Sequence, residues 1–116
     1  MIPVPLHPRR LRERGFNQAL LLARVLKKRY NMALATRILK RWRWTEPQVN
    51  LSGKVRKKNV KGSFIISNPM AVKEKNILLL DDVYTTGATI NESGRTLLKA
   101  GANEVYVLTL ARSVQI

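Results

Sequence analysis

The sequence predicts an α/β fold built on a parallel sheet, and three stretches carry that prediction. Ile77-Leu78-Leu79-Leu80 is an uninterrupted apolar run that ends on two carboxylates, Asp81 and Asp82. Val105-Tyr106-Val107-Leu108-Thr109-Leu110 is a second near-continuous apolar run. Strands covered on both faces read this way, and parallel sheets are made of such strands. Residues 89–100 lie between the two runs with helical spacing, so the three form one βαβ unit. Open sheets of this kind place their ligands beyond the carboxyl ends of the strands. Function is therefore expected from Asp81 to Thr89.

The elements before this unit are expected as follows. Ile2-Pro3-Val4-Pro5-Leu6 is a proline-broken strand end. His7 to Gly15 reads as a basic loop closed by glycine; its arginines, among them Arg9 and Arg10, suit phosphate oxygens. Asn17 caps a helix that runs to about Tyr30, with Leu21, Leu22, Val25 and Leu26 as its apolar stripe. Thr36 to Trp44 alternates basic and large residues, as a strand does. Arg37, Arg41 and Arg43 lie on one face, Trp42 and Trp44 on the other. The tryptophans read more readily as cover for a core edge than as stacking platforms.

Thr45 to Gly62 is long, polar and basic, with Arg56, Lys57 and Lys58 at its centre. Between two strands it reads as a functional flap. A short helix from Ser52 to Asn59 fits within it. Phe64-Ile65-Ile66 is a short strand turned by Ser67-Asn68-Pro69. In the last helix, Thr89-Ile90-Asn91-Glu92 matches a capping box. Ile90, Leu97 and Leu98 form its buried face, Gly94 allows a close approach to a strand, and Gly101 ends it.

A chain of 116 residues suits a single domain, residues 1–116. No apolar run approaches the roughly 20 residues of a membrane helix, and no signal peptide is recognisable at Met1. The absence of cysteine excludes disulfides and thiolate metal sites and fits a cytoplasmic location; without a long apolar run, no membrane partner is expected. The net charge is +15. Residues 1–63 hold 17 Lys/Arg against 2 Asp/Glu, whereas residues 64–116 hold 5 of each. The whole imbalance lies before Phe64, while the acidic pair sits in the neutral half. A basic surface of this size favours polyanions such as pyrophosphate, phosphorylated substrates or nucleic acid.

The centre has its own chemistry. A 5′-phosphate needs several N–H donors converging from one side, and Thr85, Thr86, Gly87, Ala88 and Thr89 at a helix start supply them. Asp81 and Asp82 are acceptors, suited to sugar hydroxyls or to Mg²⁺ and its water shell. Acceptors beside a phosphate cradle fit a phosphorylated sugar. No Walker A loop is present. Paired aspartates after a strand also occur in receiver domains and Walker B strands, so the ordered run through Thr89 carries the signal.

That run resembles the binding motif for phosphoribosyl pyrophosphate (PRPP) in type I phosphoribosyltransferases. Two further motifs narrow the resemblance to the competence protein F (ComF) family. One is Pro3-Val4-Pro5-Leu6-His7-Pro8 with Arg14-Gly15-Phe16-Asn17-Gln18. The other is Thr45, Gln48, Leu51, Arg56, Asn59-Val60, Gly62 and Phe64. The resemblance implies a Rossmann-like type I phosphoribosyltransferase core. Family members usually carry an N-terminal cysteine-rich zinc module and a hood segment, and here the hood is expected to be reduced or absent.

By the same resemblance, Asp81 and Asp82 would bind the ribose hydroxyls and serve catalysis, with Mg²⁺ as cofactor. Thr85 to Thr89 would hold the 5′-phosphate. His7 to Arg10 would face pyrophosphate and Mg²⁺. Residues 45–62 would form the flexible loop over the site, with Arg56 its pyrophosphate contact. The expected activity is phosphoribosyl transfer linked to DNA uptake. The competing expectations are a DNA-uptake protein that binds nucleic acid, or a PRPP sensor without turnover. For the former, Arg37, Arg41, Trp42, Arg43, Lys57 and Lys58 are the contact candidates. Candidate partners are thus PRPP and pyrophosphate, single-stranded DNA or another nucleic acid, and a second copy of the chain.

Overall fold

The computed structural model describes residues 1–42, 61–84 and 87–112. Its core is a three-stranded parallel sheet in the order β1–β4–β5: Ile2–Pro3, Asn76–Tyr84 and Glu104–Arg112. β1 aligns Ile2 with Leu79 and Pro3 with Leu80. β5 aligns Val105 with Ile77 and Leu108 with Leu80. A separate antiparallel ribbon pairs β2 (Leu39–Arg41) with β3 (Phe64–Ile66). The helices are α1 (Pro8–Arg14), α2 (Gln18–Tyr30) and α3 (Ala88–Lys99). The predicted α/β fold with a parallel sheet and the βαβ unit are borne out.

Ile77 and Leu79 sit on one face of β4, in the buried cluster with Ile90 and Leu97 of α3, Leu39 and Phe64 of the ribbon, and Ile2 and Val4. Leu80, one residue on, is equally buried on the opposite face. Helix α2 packs on β4 and β1 through small residues, with Ala19 and Ala23 buried. α3 packs on β3, β4 and β5. The apolar run of β4 thus reflects cover on both sides.

Several elements differ from expectation. Residues 8–14 are helical, not a loop. Pro8 is tolerated in the first turn, where its missing N–H has no partner to lose. His7 caps that turn, its Nδ1 accepting from the Arg9 N–H at 3.0 Å. Gly15 closes it in the left-handed region at φ 80°, returning its N–H to the Leu11 carbonyl. On α2, Leu22 and Leu26 are half-buried, but Leu21 and Val25 are exposed. The helix lies close to the sheet on its alanines, which turns those two outward.

The strand expected over 36–44 is only Leu39–Arg41 within the described residues, because β3 offers three partners. Trp42 is not core cover. It is 55% exposed at the ribbon's margin, its indole N–H donating to the Gly62 carbonyl at 2.9 Å. β4 continues to Tyr84, so Asp81 and Asp82 lie within the strand rather than at its end. β5 is an edge strand and leaves Tyr106, Leu108 and Leu110 exposed. Leu98 of α3 is also exposed. The proposed helix over 52–59 lies outside the described residues.

Candidate functional site

The carboxyl end of β4 gathers the site. Asp81 and Asp82 follow the fully buried Leu80, and both are half-buried. Successive strand residues face opposite ways, yet the Asp81 carboxylate turns back and accepts the Asp82 backbone N–H at 2.9 Å. Burial pushes the Asp81 carboxyl up to about 7, and a side-chain hydrogen bond to Asp82 adds to the rise. The charge of Arg41 acts in the opposite sense, favouring the carboxylate. A carboxyl poised near neutrality beside a second one is the kind of group that active sites assemble.

Three residues past Tyr84, Gly87 takes a left-handed conformation at φ 79° and forms the N-cap of α3. An L side chain there would be strained. Gly87, lacking a side chain, makes no side-chain cap hydrogen bond. A helix start capped by glycine turns its first N–H groups and the positive end of the dipole towards one point, as phosphate cradles do. Gly87, Ala88 and Thr89 are all buried. Thr85 and Thr86 lie outside the described residues.

The expected capping box does not form. Thr89 lies in the first turn and Gly87 takes its place as cap. Glu92 turns away instead: one carboxylate oxygen accepts the Gly62 N–H at 2.9 Å and a hydrogen bond from Arg95 Nη2 at 2.7 Å. The other oxygen accepts from Arg95 Nε at 3.1 Å. Arg95 holds the Glu92 carboxyl below the usual carboxylate range, with the Gly62 N–H assisting. Sequence reasoning assigned Glu92 to capping and missed this contact. The available signal was a carboxylate on the buried side of an amphipathic helix.

β1 delivers the basic segment to the same end of the sheet. The Val4 N–H donates to the Leu80 carbonyl at 2.8 Å, and α1 begins four residues later. Arg9 and Arg10 are carried on α1, the helix that follows β1. Arg9 is exposed and pairs with Glu13 at 3.5 Å. Among the proposed nucleic-acid contacts, Arg37 is exposed, while Arg41 is half-buried with its guanidinium 5.1 Å from the Phe64 ring centre. Arg41 faces inward, unlike the solvent-facing contact expected of it. Arg43, Arg56, Lys57 and Lys58 lie outside the described residues.

Among the described residues, no group of three or more His, Asp, Glu or Cys forms a metal cage. Asp81 and Asp82 are two hard oxygen donors, one of them desolvated. That set fits Mg²⁺ shared with substrate oxygens and water, since this ion commonly takes one or two carboxylates and substrate phosphates.

Comparison with known proteins decides the family. Residues 13–115 match the phosphoribosyl transferase domain. The chain belongs to that family. Over 114 residues it is 39% identical to "Competence protein F" of Haemophilus influenzae, covering 97% of this chain and 50% of that protein. It is 38% identical to "DNA utilization protein YhgH" of Shigella flexneri over 98% of this chain and 49% of the relative. "Competence protein ComFC" of Bacillus subtilis is 34% identical over 97% of this chain and 44% of its own length. The chain thus spans about half the length of the curated relatives it matches. No solved structure gives a significant match. The likeness to ComF-type competence proteins read from the three motifs is borne out.

Proposed function

We propose that this phosphoribosyl transferase domain binds PRPP with Mg²⁺ and transfers its phosphoribosyl group to an acceptor, in the service of DNA uptake. One observation carries the reading: paired carboxylates stand on β4 immediately before a glycine-capped helix start, in a chain of this family. Gly87, Ala88 and Thr89, with Thr85 and Thr86, hold the 5′-phosphate. Asp81 and Asp82 accept from the ribose hydroxyls. Mg²⁺ would be held by the same carboxylates, through water, and would supply neutralisation of the leaving pyrophosphate charge. Arg9, Arg10 and Arg56 take the pyrophosphate oxygens.

Transfer breaks the bond between the anomeric carbon and pyrophosphate and forms one to the acceptor, through an oxocarbenium-like state. The protein positions the reactants, stabilises the departing charge and excludes water. The link to DNA uptake rests on what the relatives are called, and the protein is proposed to work in the cytoplasm. No helix among the described residues is long and apolar enough to cross a membrane. The test is pyrophosphate release from PRPP with Mg²⁺ and a panel of bases. Acceptor-dependent release is expected; saturable PRPP binding with no release for any acceptor would reduce the protein to a sensor.

A second reading, binding of single-stranded nucleic acid, is favoured by two exposed aromatic residues near the two ends of α2. Phe16, just before the helix, and Tyr30, its last residue, each have an arginine guanidinium 5.9 Å from the ring centre, Arg14 and Arg29 respectively. Such pairs offer bases a stacking surface and phosphates a charge. Affinity for single-stranded DNA should then fall steeply with salt. A flat dependence would remove this reading.

A further inference from the structure

We infer that Asn17 is a positioning residue: its side-chain amide takes the Val4 carbonyl out of the sheet ladder, which lets the Asp81 carboxylate settle on the Asp82 N–H. The inference rests on the PRPP reading of the site and adds a residue to it. The exchange happens where β1 leaves β4. Pro3 aligns with Leu80, and the Val4 N–H donates to the Leu80 carbonyl at 2.8 Å. In a parallel ladder the next bond along this edge runs from the Asp82 N–H to the Val4 carbonyl. Here both groups are engaged elsewhere. Asn17 Nδ2 donates to the Val4 carbonyl at 3.1 Å, and the Asp82 N–H donates to the Asp81 carboxylate at 2.9 Å. Two side-chain bonds replace one rung of backbone pairing.

The exchange has a direction. The Leu80 carbonyl faces β1, and the Asp82 N–H follows it on the same edge of the strand. By accepting from that N–H, the Asp81 carboxylate is held towards the side of β4 where β1 runs on to α1. With the rung intact, the Asp82 N–H would be spent on Val4, and Asp81 would lose the bond that turns it. Val4 is buried, so its carbonyl needs a partner, and the half-buried Asn17 supplies one. The same side chain caps α2, its oxygen accepting from the Ala19 and Leu20 N–H groups at 2.9 and 3.3 Å. Asparagine serves both ends because its amide carries a donor and an acceptor. Serine and aspartate are equally good caps, but neither brings an N–H to Val4.

NMR of the isotope-labelled full chain, with calorimetric titration of PRPP and Mg²⁺, tests this. In the wild type, scalar coupling across the hydrogen bond should link the Asp82 amide nitrogen to the Asp81 carboxyl carbon. In Asn17→Ser that coupling should move to the Val4 carbonyl carbon. PRPP affinity should fall about tenfold, as for one lost hydrogen bond to a charged group. Asn17→Asp keeps the size and the cap and loses only the donor; it should show the same two changes, and it stands in if Asn17→Ser does not fold. Asn31→Ala strains the left-handed C-cap at the far end of α2, at φ 53°. It should lower the urea midpoint and leave both readouts as in the wild type. Three results overturn the role of Asn17: an Asp82 coupling that stays on the Asp81 carboxyl in the Asn17 variants, a PRPP affinity there within about twofold of wild type, or an equal loss in Asn31→Ala. A wild type that binds no PRPP, with the coupling still moving in Asn17→Ser, overturns the PRPP reading instead.

Discussion

Asp81 and Glu92 are both acidic residues in half-buried or buried positions, and their surroundings push them in opposite directions. Asp81 meets burial and a second carboxyl and rises to about 7; Glu92 meets Arg95 and falls. The first is left ready for a cation or a sugar hydroxyl, and the second is committed to structure. The rise at Asp81 has a consequence for stability. Between its ordinary value of 3.8 and about 7, the folded chain keeps the proton and the unfolded chain has lost it. Stability therefore falls as pH rises through that interval. Asp81→Asn should remove this contribution, so denaturant midpoints of the variant should be flatter than wild type from about pH 4 to about pH 7. Identical pH profiles would show that Asp81 ionises normally. The identities of both aspartates were legible in the sequence because a long apolar run led straight to them. The role of Glu92 was not, since its partner Gly62 is 30 residues away and a local motif offered a competing reading.

Elements with strong internal patterns were the ones read correctly. α2 has an Asn17 cap, confirmed by its side chain accepting from the Ala19 and Leu20 N–H groups. β4 and β5 announce themselves by apolar continuity. The errors fall where tertiary context overrides a local signal. α1 is short and arginine-rich, and its helical character depends on an unusual histidine cap. The 36–44 strand is trimmed by the length of its partner, which no residue within it encodes. The Leu21–Val25 side of α2 is exposed because alanines, not leucines, set the packing distance to the sheet. Gly94 illustrates the same point on α3. It was read as making room for a strand, and it does face Val105, but a Cβ added there would sit at an ordinary 3.8 Å from that side chain. Gly94→Ala should therefore stabilise the protein by about 0.5–1 kcal/mol through helix propensity and reduced freedom of the unfolded chain. A higher urea midpoint at unchanged slope is the expected result; a lower one would mean that α3 and β5 meet more tightly than this spacing allows.

Across the whole molecule, charge and chemistry are divided along the chain and brought together by the fold. Residues before Phe64 hold the entire positive excess, and the acidic pair and cradle lie after it. β1 pairs with β4 in parallel, which carries the start of the basic half to the carboxyl end of the acidic strand. The β2–β3 ribbon packs on α3, and the charge of its Arg41 favours the Asp81 carboxylate. A chain arranged in this way suits a ligand with an anionic group at each end and hydroxyls between, which is the chemistry of PRPP. The central claim is that Asp81, Asp82 and the start of α3 form one PRPP site. Calorimetric titration of PRPP with Mg²⁺ into wild type and Asp82→Asn tests it most directly. Saturable heat in the wild type, weakened about tenfold or more in the variant, is predicted from the loss of one charged acceptor. No heat in the wild type, or equal binding in the variant, would contradict it.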